Sequence, residues 1–198
     1  LQMASAYSVF ANGGFALQPQ LIDKVTDQKG KLVLETRPPT LDESMRTLPA
    51  RNAFVMGTLL QEITRSGTAA RAQATLKRPD LYGKTGTTND SMDAWFAGFH
   101  PTLTAVVWIG YDTPRKLGDR ETGGGLALPV WIEFMQHALR NVPVEELAAP
   151  EGVVHTGPYW VFDEFTGKAG IASVGLDEKI PQPPSTEERS SILDLFKR

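Results

Sequence analysis

The stretch from Leu81 to Tyr111 most restricts the folds open to this chain. Three β-forming runs follow one another there: one carries Lys84-Thr85-Gly86-Thr87, the next is Trp95-Phe96-Ala97-Gly98-Phe99, and the last is Ala105-Val106-Val107-Trp108-Ile109-Gly110-Tyr111. The turn signal His100-Pro101 separates the second from the third, so the pattern predicts three consecutive antiparallel strands. Helical apolar spacing flanks them. Leu1 to Ala11 reads as a helix stopped by Asn12-Gly13-Gly14. Phe54, Val55, Met56, Leu59, Leu60 and Ile63 mark a second helix, from about Pro49 to Ser66-Gly67, and Thr68 to Ala74 starts a further short one. Val130, Trp131, Phe134, Met135 and Ala138 mark a helix from about Leu128 to Asn141 with Pro129 in its first turn. Gln20–Val25 and Lys31–Glu35 flank Asp27-Gln28-Lys29-Gly30 as a hairpin. An aromatic run, Tyr159-Trp160-Val161-Phe162, comes with a turn at Phe165-Thr166-Gly167-Lys168. A proline-rich linker, Ile180 to Pro184, and a polar tail follow.

Composition removes several function classes. With 198 residues, 41% hydrophobic and 22% charged, the chain is long enough to bury a core. A net charge of -3 offers no general attraction to nucleic acid or to an anionic membrane surface, so neither is expected as a partner of this segment. Cysteine is absent, which excludes disulfides and thiolate metal sites. His100, His137 and His155 are isolated in sequence, so neither a metal nor a cofactor is expected. Gly123-Gly124-Gly125 lacks the spaced glycines and following lysine of a phosphate loop and reads as a turn beside a cleft.

The chemistry concentrates at Lys84-Thr85-Gly86-Thr87. Such a triplet arises by chance in about one chain in twenty of this size, so its strand context matters. S-x-x-K, S-D-N and K-T-G occur together in serine acyl-transfer sites, where the serine is the nucleophile. Here only K-T-G is present: no serine precedes a lysine by three residues, and Ser-x-Asn does not occur. A strand of this kind can pair with an extended peptide and offer an amide N–H, that of Thr87, to a developing oxyanion. Gly86 lacks the Cβ that would keep a substrate off the strand. The charge of Lys84 and the hydroxyls of Thr85 and Thr87 suit a free carboxylate.

Taken with Ala4–Gly14, Gly67-Thr68-Ala69, Gly83–Asp90, Asp93–Phe99 and Thr122–Trp131, the chain resembles the C-terminal part of the transpeptidase domain of class A, bifunctional penicillin-binding proteins, most closely their 1A group. The resemblance implies an α/β fold of α+β type, an antiparallel sheet flanked by helices on both faces and present only in part. It implies residues 1–149 as that portion of the domain and 150–198 as an extension. It implies D,D-transpeptidation of peptidoglycan through an acyl-serine, with stem peptides and β-lactam antibiotics as ligands, Lys84 and Thr87 as catalytic residues, and Thr85, Gly86 and Thr87 as substrate-binding residues. The nucleophile, a membrane anchor and a glycosyltransferase domain are expected upstream, on the extracytoplasmic, periplasmic side of the inner membrane. The incomplete sheet is expected to have an edge covered by the upstream half of the domain, a second copy or another fragment.

Two rivals stand beside this reading: a non-catalytic scaffold of the same fold, and a hydrolase of the β-lactamase or carboxypeptidase type. Keeping a carboxylate anchor leans against the scaffold, and Thr122 to Trp131 leans against the hydrolase. Trp95, Trp108 and Trp131 are expected in the core. Asp93 and Glu121 are expected to be solvated or to stabilise the hairpin rather than to exchange protons.

Overall fold

A computed structural model describes residues 1–166. The proline-rich linker and polar tail lie outside the described residues.

Helix α1 (Gln2–Ala11) opens the chain and stops where the glycines require it. Gly13 and Gly14 have φ of 81° and 111°, and Gly14 N–H reaches back 2.7 Å to the Val9 carbonyl, a left-handed cap that satisfies a terminal helix acceptor. An exposed hairpin follows, β1 (Lys24–Thr26) with β2 (Leu32–Glu35). Its first strand is shorter than the sequence suggests: Leu21 and Ile22 stay outside it and, among the described residues, exposed. Then come α2 (Ala50–Arg65), α3 (Arg71–Leu76) and the predicted meander. The meander consists of β3 (Tyr82–Thr87), β4 (Ala94–His100) and β5 (Leu103–Ile109), in the spatial order β3-β4-β5. Both pairings are antiparallel and unbroken, from Tyr82 opposite Phe99 to Thr87 opposite Ala94, and from Ala94 opposite Ile109 to His100 opposite Leu103.

Strand alternation sends side chains to two cores. On one face Phe96 meets Trp131 edge-on at 4.9 Å, within a cluster built by Ala69, Ala72 and Leu81 and by helix α4 (Leu128–Ala138). On the other face Tyr82 stacks on Phe99 at 4.8 Å beneath Leu60 of α2, with Tyr7 and Phe10 of α1 packed against them. The sheet is therefore covered by helices on both faces, as expected. Trp131 is fully buried, but Trp95 is only half-buried and Trp108 is 44% exposed, which corrects the expectation that all three tryptophans are core. Alternation fixes the face of a side chain, not whether a helix covers it there. The two rings pair across the strands at 6.0 Å, and Trp108 Nε1 donates to Asp93 at 2.7 Å, so Asp93 does stabilise the hairpin.

The aromatic run forms a hairpin of its own, and the turn read at 165–168 lies partly outside the described residues. Strand β6 (Val153–Thr156) pairs with β7 (Tyr159–Phe162) around Gly157-Pro158, and the stretch at Asp163–Phe165 is a single short helical turn. Gly157, at φ 59°, supplies the reversal. The hairpin is fastened to α2: Trp160 lies edge-on to Phe54 at 5.0 Å, and Arg51 pairs with Glu164 at 2.8 Å while stacking over Phe162.

One polar knot locks the return of the chain into β3. Arg78 donates both arms of its guanidinium to the buried Asp80 at 2.9 and 2.7 Å. It also donates to the carbonyls of Leu139, Val142 and Pro143 beyond α4. The Nε2 of the fully buried His100 lies 3.1 Å from Asp80, and Thr102 N–H donates to its Nδ1. Arg78 Nη2 stands 3.2 Å from the same Nε2, so all three side chains meet at one point. Burial alone would raise the Asp80 carboxyl, but the Arg78 fork and the Glu145 N–H outweigh it and hold the group below its ordinary value.

This knot gives a pH dependence with a definite sign. The unfolded chain takes up a proton on Asp80 before the folded one does, so its contribution is complete above about pH 3.9 and is lost as pH falls through the lower folded value. Asp80→Asn should cost about 3 kcal/mol at neutral pH, because it removes the buried carboxylate from the partly buried guanidinium of Arg78. It should also flatten the acid limb of stability against pH. Urea titrations of both proteins from pH 7 to pH 3 check this, and parallel acid limbs would disprove the role.

Candidate active site

The first half of β3 is buried and the second half emerges: Tyr82 and Gly83 are enclosed, whereas Lys84 and Thr87 are exposed. The buried end is held by Thr64 of α2, whose hydroxyl donates to the Leu81 carbonyl, and by Leu81 in the core. A Cβ at Gly83 would lie 2.6 Å from the Phe96 ring and 2.9 Å from the Ala97 carbonyl, so only glycine lets β3 pass this point. Among the described residues β3 pairs with β4 alone.

Alternation splits the four sequence-predicted residues. Thr85 and Thr87 share one face of the strand, and Lys84 and Gly86 share the other. The lysine nevertheless rejoins its neighbours: its Nζ curls back to the Thr85 carbonyl at 2.8 Å and stands 3.4 Å from the Thr85 hydroxyl. A groove of about 250 Å³, mostly on the Lys84 side, is lined by Met3, Tyr7, Lys84, Thr85, Gly86, Trp95 and Ala97. The floor at Gly86 is narrow, since a Cβ there would meet the Trp95 side chain at 3.2 Å. A larger hollow, about 590 Å³ on the outer side of α4, is lined by Val130, Phe134 and their neighbours, none of them on β3.

On the threonine side Thr68 and the glycine-rich stretch complete the arrangement. Thr68, in the turn after α2, places its hydroxyl 2.9 Å from that of Thr85. The glycine-rich stretch is one wide helical turn, Gly123–Ala127, entered from Thr122, whose hydroxyl accepts the Gly125 N–H. It lies on the backbone of the Gly86–Trp95 pair, and Gly123 N–H donates to the Thr87 hydroxyl at 3.0 Å. This is the turn beside the strand that the sequence suggested, and its purpose is close approach. A Cβ at Gly123 would run into the carbonyls of Trp95 and Gly86. No motif marks Thr68 as a partner of Thr85; the only signal was its place in Gly67-Thr68-Ala69.

Glu121 lies apart from the hydroxyl cluster, with its side chain beside Gly118. His155 stacks edge-on with Trp160, and His137 is exposed. Among the described residues no cluster of His, Cys, Asp and Glu could hold a metal ion, and no helix is long and apolar enough to cross a membrane.

A lysine, two threonines and a glycine thus stand on a half-emerged sheet edge between two helical layers. Residues 1–136 match the family model described as the penicillin binding protein transpeptidase domain, and the chain belongs to that family. Within it the likeness is to the penicillin-binding protein 1A group. Penicillin-binding protein 1A of Neisseria flavescens is 46% identical over 189 residues, covering 94% of this chain and 23% of that protein. Its counterpart in Pseudomonas aeruginosa is 34% identical, covering 95% and 28%. The chain thus spans about a quarter of the length of these relatives. The crystal structure of penicillin-binding protein 1A from Haemophilus influenzae superposes with a TM-score of 0.70 at 33% identity, over 77% of this chain and 28% of that one. The D,D-transpeptidase domain of a peptidoglycan glycosyltransferase from Eggerthella lenta superposes with a TM-score of 0.53 at 26% identity, over 72% and 32%.

The glycine turn gives a paired test. Gly123→Ala should cost about 2 kcal/mol, because the methyl group meets backbone that cannot yield. Gly125→Ala, whose Cβ would meet only the Thr122 hydroxyl at 3.4 Å, should be nearly neutral. Equal midpoints for the two variants in urea denaturation would show that the turn does not press on the strand.

Proposed function

We propose that this chain supplies the substrate-anchoring strand of a serine-type D,D-transpeptidase acting on peptidoglycan stem peptides that end in D-Ala-D-Ala. The observation that carries the reading is the meeting of the Lys84 ammonium with the Thr85 hydroxyl on the exposed half of β3, with Thr87 on the same strand face as Thr85. Three donors without a protein acid among them suit the terminal carboxylate of a stem peptide or of a β-lactam. Gly86 lets the peptide lie along the strand, and the Thr87 N–H is offered to the carbonyl oxygen as charge develops there.

The reaction requires a serine oxygen to attack the penultimate D-Ala carbonyl while giving up its proton. The C–O bond forms, the C–N bond to the last residue breaks, and D-Ala departs with the proton on its amine. The amine of a neighbouring stem then attacks the ester, a new amide forms and the serine regains its proton. In this proposal the serine and its lysine lie outside residues 1–198, since no Ser-x-x-Lys stands among them. The whole protein would also carry a glycosyltransferase and an upstream membrane anchor, and would work on the extracytoplasmic face of the inner membrane. Residues 1–149 would be the transpeptidase portion, with 150–198 an extension whose hairpin braces α2 through Arg51 and Phe54.

Two measurements test the reading. Intact mass after incubation with a labelled penicillin should be unchanged, whereas a covalent adduct would place the nucleophile within these residues. Lys84→Ala and Thr87→Val should each weaken binding of an N-acylated peptide ending in D-Ala-D-Ala by about tenfold, the value of one charge-assisted hydrogen bond. Unchanged dissociation constants in calorimetric titration would remove β3 from the site.

A further inference from the structure

A threonine hydroxyl has one proton and two lone pairs, and what fills the lone pairs decides where the proton can point. At Thr87 one lone pair takes the Gly123 N–H at 3.0 Å, a donor that cannot reverse its role. At Thr85 two groups stand behind the oxygen: Lys84 Nζ at 3.4 Å, which can only donate, and the Thr68 hydroxyl at 2.9 Å, which can donate or accept. If Thr68 accepted, the Thr85 proton would be spent inside the protein. If Thr68 donates, both lone pairs of Thr85 are taken and its proton is free to meet an anion.

We propose that Thr68 is a positioning residue that donates to the Thr85 hydroxyl and so turns the Thr85 proton toward the ligand carboxylate, as Gly123 N–H does for Thr87. The proposal rests on the reading of β3 as a carboxylate anchor and adds a residue outside the Lys-Thr-Gly stretch to that anchor. The local structure suits a fixed donor. Thr68 sits between two anchored positions, since Ala69 and Ala72 are fully buried, Ala69 N–H bonds the Ile63 carbonyl at 3.1 Å and Ala70 N–H bonds the Gly67 carbonyl at 3.1 Å. On its far side the glycine-rich turn closes in, where a Cβ on Gly124 would stand 3.4 Å from the Thr68 carbonyl. Thr68 is thus held between the turn and β3 while its side chain stays exposed at the site. A tie between α2 and β3 would need only some hydrogen bond, whereas a positioning role needs a hydroxyl that donates.

The test compares wild type, Thr68→Val and Thr68→Ser as the 198-residue chain, using diacetyl-L-Lys-D-Ala-D-Ala and its C-terminal amide as probes and following the amide resonances of Thr85, Gly86 and Thr87. Wild type and Thr68→Ser should favour the acid over the amide, and Thr68→Val should reduce that preference about tenfold. Without ligand, χ1 couplings of Thr85 should report one rotamer in wild type and Thr68→Ser and averaging in Thr68→Val. An acid-over-amide preference that survives in Thr68→Val overturns the positioning role while leaving the anchor intact. A wild type without such a preference overturns the anchor and the role of Thr68 together.

Discussion

The one-sided pairing of β3 is the constraint on which the rest of the site depends. Six residues pair with β4 in unbroken register, and among the described residues no strand pairs with the opposite edge along its exposed half. Such an edge invites indiscriminate strand addition, and proteins usually blunt it with charge, short length or cover. Here the buried half is capped by α2 through Thr64 and Leu81, and the open half carries Lys84, an edge charge that in the proposed function would also meet the ligand. The same residues that make the strand usable thus keep it from unselective pairing.

That edge holds its place only because the chain before and after it is locked. Arg78, Asp80 and His100 join the entry of β3, the end of β4 and the segment beyond α4 in one network with no buried side-chain polar atom left unpartnered among the described residues. Tyr82 extends the lock by accepting the Leu147 N–H at 3.0 Å, and burial pushes its hydroxyl up to about 12, so it stays neutral. A charge network in this position costs desolvation and adds little net stability over apolar packing. Its gain is geometric, since five carbonyl and carboxylate oxygens around one guanidinium admit a single arrangement.

Much of this was legible in the chain, for identifiable reasons. Local rules held where local physics decides: the glycine cap of α1, the three-strand meander and α4 followed from dihedral preference and apolar period. Lys84 to Thr87 stood out because a short motif on a strand needs no distant partner to be seen. Thr68 was hidden, since its partner Thr85 is 17 residues away and a helix, a turn and a strand must close before the hydroxyls meet. Asp80 was equally hidden, because the buried histidine that completes its network comes 20 residues later. Trp108 was misjudged for the opposite reason: its spacing is that of a core residue, and its exposure depends on how far α1 extends over the sheet. The partner of the aromatic strand was missed because Val153–Thr156 has a single buried residue and little pattern to declare it.

The alternation of β3 carries a last consequence. A strand cannot place consecutive side chains on the same face, so a lysine next to a threonine ordinarily presents its charge away from the hydroxyl. In this chain the lysine stem is long enough to turn over the strand edge, and the Thr85 carbonyl holds the ammonium there at 2.8 Å. The positive charge consequently sits at the edge, between the groove at Gly86 on one side and the hydroxyls of Thr68, Thr85 and Thr87 on the other. An arginine would bring a wider planar head with fixed directions and could not tuck beside the carbonyl in the same way, whereas a compact ammonium can donate to a carbonyl and a hydroxyl at once and still face solvent. The order Lys-Thr-Gly-Thr is therefore a geometric unit: the lysine crosses the edge, the glycine clears the groove it leaves, and the two threonines remain together on the face that the glycine-rich turn closes.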